Sequence, residues 1–205
     1  MTGYHALLLA AGAGTRFGGR KLLAPWMGEP MVRASARIAL AAPVEACIAV
    51  TGCDAALVEV ALRGLGGGRL RIVHAPGWSE GVAASLRAGL AALPGGSRGV
   101  AVFLADMPLV PPAAAGPLLD ALEGGAVGAE YVSDARPAHP VAFARALYPD
   151  LARLEGDAGG RRLLAGRTDV VRIATADPGA TFDVDLPADL ASNDDGPPVQ
   201  PPRAF

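Results

Sequence analysis

The stretch Leu7-Leu8-Leu9-Ala10-Ala11-Gly12-Ala13-Gly14-Thr15-Arg16-Phe17-Gly18-Gly19-Arg20-Lys21 runs from apolar residues into small ones and then into cations. Small residues let a ligand approach the backbone closely, and N–H groups exposed in such a turn hold phosphates. Arg16 suits two-point contact with a phosphate, and Lys21 supplies a point charge. Glycines, Arg16 and Lys21 converge here, so phosphate binding is preferred over a turn shaped only for packing. Two familiar loops are excluded. Phe17 stands where a dinucleotide fingerprint has its third glycine, and no acidic residue ends the second strand. No Gly-Lys-Ser/Thr follows, so the turn is not a P-loop.

Carboxylates form the second candidate group. Asp106 follows the apolar run 100–104, at the carboxyl end of a strand, where open α/β sheets bind ligands. Mg²⁺ takes one or two carboxylates together with phosphates and water, so Asp106 is read as a metal ligand in preference to a helix cap. In Phe182-Asp183-Val184-Asp185-Leu186-Pro187 the two acids alternate with apolar neighbours. In a strand they would share a face, and a common cation would relieve their repulsion. Phosphoryl chemistry rests on positioning and charge stabilisation. Arg16 and Lys21 would stabilise negative charge developing on phosphate oxygens, and an anionic phosphate acceptor needs no general base. Ser79 reads as a helix N-cap and Ser85 as a serine buried against backbone. Asp157 reads as an N-cap, and a lone His139 is as readily a packed or solvated residue.

These groups need a scaffold. Apolar runs at 4–10, 46–51, 70–74 and 100–104 read as buried strands, with helical spacing at 31–42, 55–65 and 81–93 between them. That alternation predicts a Rossmann-like three-layer α/β/α sandwich on a mostly parallel sheet. Further on, 111–122 reads as a helix with prolines in its first turn, 127–133, 141–143 and 170–174 as strands, and 187–191 as the start of a short helix. Residues 1–192 form one expected domain. The proline-rich tail 193–205 has no periodicity and is expected to lack ordered structure.

Composition agrees with a single globular core: 205 residues, 51% hydrophobic and 19% charged. A formal charge of −2 gives no basis for binding nucleic acid or an anionic membrane. Mean hydropathy is +0.33, yet the longest apolar stretch, 38–50, is broken by Pro43 and Glu45 and is too short to span a bilayer. The first residues lack the basic segment of a signal peptide, and two cysteines make no disulfide framework. A cytoplasmic protein is expected.

The pattern Leu-Ala-Ala-Gly-x-Gly-x-Arg-Phe-Gly-x-x-Lys-Leu-Leu resembles the nucleotide-binding signature of NTP transferases that act on molybdenum cofactor. It is closer to the cytidylyltransferases, because their guanylyltransferase relatives carry Gly at the place of Ala11. The similarity runs from residue 4 to about 191. It implies an Mg²⁺-dependent nucleotidyltransferase that moves CMP from CTP to a molybdopterin-type cofactor, a phosphorylated pterin-type acceptor, releasing pyrophosphate. It implies that Leu9, Ala10, Ala11, Gly12, Gly14, Thr15, Arg16 and Lys21 bind the nucleotide. Gly81 and Ser85, in a segment with Val82 for the usual Met, would approach its base. Arg16, Lys21 and Asp106 would be catalytic, and Asp106 and Asp185 would hold Mg²⁺. His139, Pro140, Asp157 and Asp183 would face the acceptor, with Ala138 where the family usually has Gly. If that position needs a left-handed backbone, Ala138 adds strain of about 1 kcal/mol. A molybdenum enzyme or its chaperone would be a protein partner. Guanylyl transfer and transfer to another small phosphate share this chemistry. A non-catalytic nucleotide- or cofactor-binding module is disfavoured by the intact Arg16, Lys21, Asp106 and Asp185 set.

Overall fold

A computed structural model describes residues 3–133 and 138–193. The tail from 194 onward and loop residues 134–137 lie outside the described residues. The elements, in chain order, are β1 (Tyr4–Ala10), a small ribbon of β2 (Pro25–Trp26) and β3 (Glu29–Pro30), α1 (Met31–Ala41), β4 (Ala46–Thr51), α2 (Ala55–Leu62), β5 (Leu70–His74), α3 (Val82–Ala91), β6 (Gly99–Leu104), α4 (Ala115–Glu123), β7 (Gly128–Val132), β8 (Val141–Ala144), α5 (Tyr148–Leu151) and β9 (Val170–Ala174). Short 3-10 turns fill several of the connections.

The seven-stranded sheet has the order β5-β4-β1-β6-β8-β7-β9. Every neighbouring pair is parallel except those that include β8, which runs against both β6 and β7. Central strands are continuous apolar runs because both faces are covered. Tyr4, Ala6, Leu8 and Ala10 of β1 pack on one face with Val32 of α1, Val58 of α2 and Leu118 of α4. Leu7 packs on the other face with Leu86 of α3 and Leu151 of α5. The expected three layers and mostly parallel sheet are therefore observed. After β1 the chain moves toward β4 and β5, and α3 brings it back across to β6 on the other side of β1. That reversal opens a crevice at the carboxyl ends of β1 and β6.

Several boundaries differ from the sequence expectation. The helix at 111–122 begins only at Ala115. Pro112 disfavours a helical backbone at Pro111, whereas Pro117 falls in the first turn, where its missing N–H costs nothing. The second helix stops at Leu62 and is followed by left-handed Gly64. No helix among the described residues is long and apolar enough to cross a membrane.

Candidate active site

The turn after β1 is shaped by contacts that forbid side chains. Ala11 is buried, and its carbonyl accepts the Cys53 N–H at 3.1 Å. A Cβ on Gly52 would come within 2.5 Å of that carbonyl oxygen. Gly14 is left-handed (φ 61°), and a Cβ there would lie 2.8 Å from Lys21 Cβ. The Gly14 carbonyl accepts from Phe17 and Gly19, both at 3.0 Å, which folds the turn back and sets Lys21 beside it.

Lys21 Nζ lies 2.7 Å from Asp106 Oδ2 and 3.5 Å from Asp185 Oδ1. Arg16 Nη1 lies 2.6 Å from Asp185 Oδ2. Asp106 sits just past β6, where the Ala105 N–H still donates to the Leu9 carbonyl at 3.1 Å. The Val184 N–H donates to the Asp106 carbonyl at 2.9 Å and so draws the 182–185 segment onto the strand end. This segment is not a strand. Its alternation nonetheless persists, because Phe182 and Val184 are buried with Trp26 and Met31. Asp189 accepts from the backbone N–H groups of Asp185 and Leu186, both at 2.8 Å, and fixes the Asp185 backbone. The Lys21 and Asp185 side chains are only 12% and 14% exposed, so their pairing is shielded from solvent. Arg16 is 70% exposed, and its ion pair adds little stability. Among the described residues no group of three or more His, Cys, Asp or Glu could hold a metal ion. Two carboxylates that reach one cationic group do match the donor set Mg²⁺ takes alongside phosphate and water.

These groups face a cleft of about 550 Å³ whose wall includes Leu9, Ala11, Gly12, Gly14, Thr15, Lys21, Gly81, Ser85, Asp106 and Asp157. Gly81 (φ 117°) is required by a close approach: a Cβ would lie 2.3 Å from the Gly156 carbonyl carbon and oxygen. The Ala83 N–H donates to that carbonyl at 3.0 Å, which pins the start of α3 to the 155–157 loop and carries Asp157 to the cleft.

A second cavity of about 200 Å³ shares Leu9, Val82 and Leu104 with the cleft and is otherwise largely apolar, with Leu86, Val102, Val141 and Phe143. His139 and Arg161 are its polar members. The His139 N–H donates to the Ala180 carbonyl at 2.8 Å, and Arg161 donates to the Ala138 carbonyl. Arg161 also lies 3.4 Å from buried Glu130. Burial, and then the Arg161 charge, lower the His139 pKa to about 4, against a hydrogen bond to the Val102 backbone that raises it. The ring is therefore neutral at pH 7, and its buried Nδ1 has no hydrogen-bond partner. Because the folded pKa lies below the ordinary 6.5, the stabilising contribution of neutral His139 is complete above pH 6.5 and is lost as pH falls toward 4. Melting temperatures measured across that range should fall more steeply for the native protein than for His139→Gln. The difference between the two removes the parallel effect of His5, whose pKa burial also lowers. Identical slopes would overturn the assignment of a buried neutral imidazole.

A family model described as the MobA-like NTP transferase domain matches residues 6–172. The chain belongs to the MobA-like NTP transferase family. It is a nucleotidyltransferase with the Rossmann-like fold of that group. Among solved structures, Rv0371c from Mycobacterium tuberculosis H37Rv is 30% identical with a TM-score of 0.76, covering 94% of this chain and 98% of that one. A homologue from Mycobacterium sp. strain JC1 is also 30% identical, with a TM-score of 0.75 and coverage of 92% and 96%. Rv0371c in complex with manganese is 28% identical, with a TM-score of 0.67 and coverage of 85% and 89%. No curated protein matches the chain.

In this NTP transferase the expected residues divide into three groups. Leu9, Ala11, Gly12, Gly14, Thr15, Lys21, Gly81, Ser85, Asp106 and Asp157 line one cleft, and Arg16 and Asp185 join it through their ion pairs. Ala10 does not line it; its methyl packs in the core beneath. His139 lies in the second cavity, next to buried Pro140, and Asp183 lies beside Asp185 without lining the cleft. Ser79 is not a cap. The α3 N-cap is Gly81, with no side-chain cap hydrogen bond. Asp157 is no cap either, because the 3-10 turn Gly160–Leu164 begins after Gly159 without a side-chain cap. Ala138 is not among the described non-glycine residues with positive φ, Arg20 and Met27, so its methyl brings no backbone strain. Gly52, Trp78, Arg161 and Asp189 were not expected in the site. Only Asp189 had a local signal, an acid two residues beyond Pro187 that can reach back to N–H groups at a turn's start.

Proposed function

We propose that this enzyme transfers CMP from CTP to the phosphate of a molybdopterin-type cofactor. The observation that carries the reading is the Lys21–Asp106–Asp185 cluster, whose Lys21 and Asp106 line the cleft together with the glycine turn. An oxygen of the acceptor phosphate attacks the α-phosphorus of the NTP, and the bond to pyrophosphate breaks. Lys21 and Arg16 neutralise the charge gathering on the pyrophosphate oxygens, and backbone N–H groups of 12–15 hold the phosphates in place. Asp106 and Asp185 would hold Mg²⁺, which supplies Lewis-acid charge neutralisation on phosphate oxygens. The manganese complex of Rv0371c supports a divalent ion for this chain too. His139, Pro140, Asp157 and Asp183 serve the acceptor side, and a molybdenum enzyme or its chaperone would receive the product. NTP supply would place the reaction in the cytoplasm. The small, apolar second cavity favours one other reading, transfer to a different small phosphorylated acceptor.

The base preference follows from Ala11. Its methyl is backed by Gly52, where even a Cβ would lie 2.7 Å away, so the wall cannot retreat to admit a larger base. A misfit of this kind is worth roughly 10- to 200-fold in selectivity. Competitive turnover with equal CTP and GTP, Mg²⁺ and isolated molybdopterin cofactor should show CTP preferred, and Ala11→Gly should narrow the ratio. A native preference for GTP would overturn the cytidylyl assignment. Pyrophosphate release only with other phosphorylated acceptors would overturn the pterin one.

A further inference from the structure

Trp78 takes no part in the phosphate turn or the carboxylate cluster, yet it stands in the wall of the same cleft. Among the described residues it is the one aromatic side chain in that wall. Its backbone is held firmly. Trp78 opens the 3-10 turn Trp78–Glu80, its N–H donates to the Ala75 carbonyl at 3.1 Å, and its carbonyl accepts from Gly81 at 3.4 Å. Its Cβ meets the end of β4, because a Cβ on Gly52 would lie 2.8 Å from Trp78 Cβ and 2.7 Å from Ala11 Cβ. The ends of β1 and β4 and the Trp78 turn thus converge at one glycine. Part of the indole packs on the core beneath α3, and part remains exposed.

Charge divides the cleft. Lys21 and Asp106 mark the end where phosphates are drawn, while Ala11, Trp78, Ser79, Val82 and Ser85 carry no ionisable side chain; the remaining ionisable residue of the wall, Asp157, is an acid beside Gly81 and repels phosphate from that end. An NTP with its phosphates at Lys21 leaves its uncharged base for the part of the wall that carries no cation. Partly exposed Trp78 offers an apolar aromatic side chain there, and every nucleobase has a π-face to lay on it. We propose that Trp78 is the stacking wall of the nucleobase subsite, giving affinity common to all NTPs while Ala11 sets the preference among them. This rests on the nucleotidyl-transfer reading of the cleft and not on the choice of CTP.

The test is tryptophan emission during titration with CTP and, separately, GTP in the presence of Mg²⁺. The other tryptophan, Trp26, is 1% exposed in a separate core cluster. Either nucleotide should quench the native protein, and Trp78→Phe should remove the quench. Trp78→Ala should raise KM for CTP and for GTP alike by about 10- to 100-fold, with kcat changed by less than about threefold and the CTP:GTP ratio unchanged. Trp78→Phe should restore most of the affinity. Native-like quenching in Trp78→Phe, or calorimetric affinity unchanged in Trp78→Ala, would overturn the proposal. If Trp78→Ala melts at assay temperature, the emission of Trp78→Phe decides alone. A native protein that prefers GTP but is still quenched through Trp78 would remove the cytidylyl assignment and leave the wall standing.

Discussion

Asp106→Ala is expected to keep the fold and to lose turnover by about a thousand-fold or more. The fold should persist because the structural bond at this position is made by the backbone: the Asp106 carbonyl accepts the Val184 N–H, and alanine keeps it. The carboxylate is 26% exposed at the cleft floor and fills no core space. Its side chain pairs with Lys21 Nζ, which retains Asp185 at 3.5 Å. The chemistry should fail because the proposed metal site would keep one carboxylate of two. Losing a preorganised charge stabiliser costs on the order of 3–4 kcal/mol of transition-state stabilisation, or more where a metal is displaced. Pyrophosphate release and the melting curve, measured together, check this. Near-native turnover in a folded Asp106→Ala would remove the metal-ligand assignment. Asp106→Asn, which keeps the shape and deletes the charge, should be nearly as inactive.

How much of this was legible in the sequence depends on the range of the deciding contact. The parallel strands were readable because burial on both faces makes each a short continuous apolar run, as in Leu7-Leu8-Leu9. The direction of β8 was not, since the four residues Val141–Ala144 carry no mark of whether they pair parallel or antiparallel. The glycine turn and Asp106 were readable because each follows a strand end, and Lys21 because it closes the same glycine-rich run. Asp185 was placed by resemblance, and what brings it to Lys21 is a backbone bond from Val184 to Asp106. The caps failed for the opposite reason. Ser79 and Asp157 have the right residue type and spacing, but the contact of Gly81 with Gly156 sets both loop conformations from 75 residues away, the difference of those numbers. Trp78 was visible as a tryptophan in a strand-to-helix turn. Its place in the cleft emerged only when Gly52 put the end of β4 against it.

Lys21→Ala is expected to lower kcat/KM for the NTP by about a hundred- to a thousand-fold while the protein remains folded. The side chain is 12% exposed and its ammonium serves two carboxylates, so its interactions are shielded and close. On the proposed mechanism the same group meets the pyrophosphate as negative charge develops there. Removing one such donor typically costs 10²–10³ in rate. The cost to folding should be smaller. Lys21 packs its stem beneath Gly14 rather than in the main core, and alanine keeps the Cβ that makes that contact. What remains is electrostatic: Asp106 and Asp185 lose their shared cation, and exposed Arg16 screens only Asp185. Added Mg²⁺ should therefore raise the melting temperature of Lys21→Ala by more than it raises that of the native protein, since a cation that binds the folded state stabilises it by mass action. That melting experiment separates the two roles of the residue. If Lys21→Ala lost its fold while NTP affinity stayed unchanged, Lys21 would be a structural counter-ion. If Mg²⁺ shifted neither protein, the carboxylate pair would not be a metal site, and Lys21 itself would be the group that neutralises the phosphates.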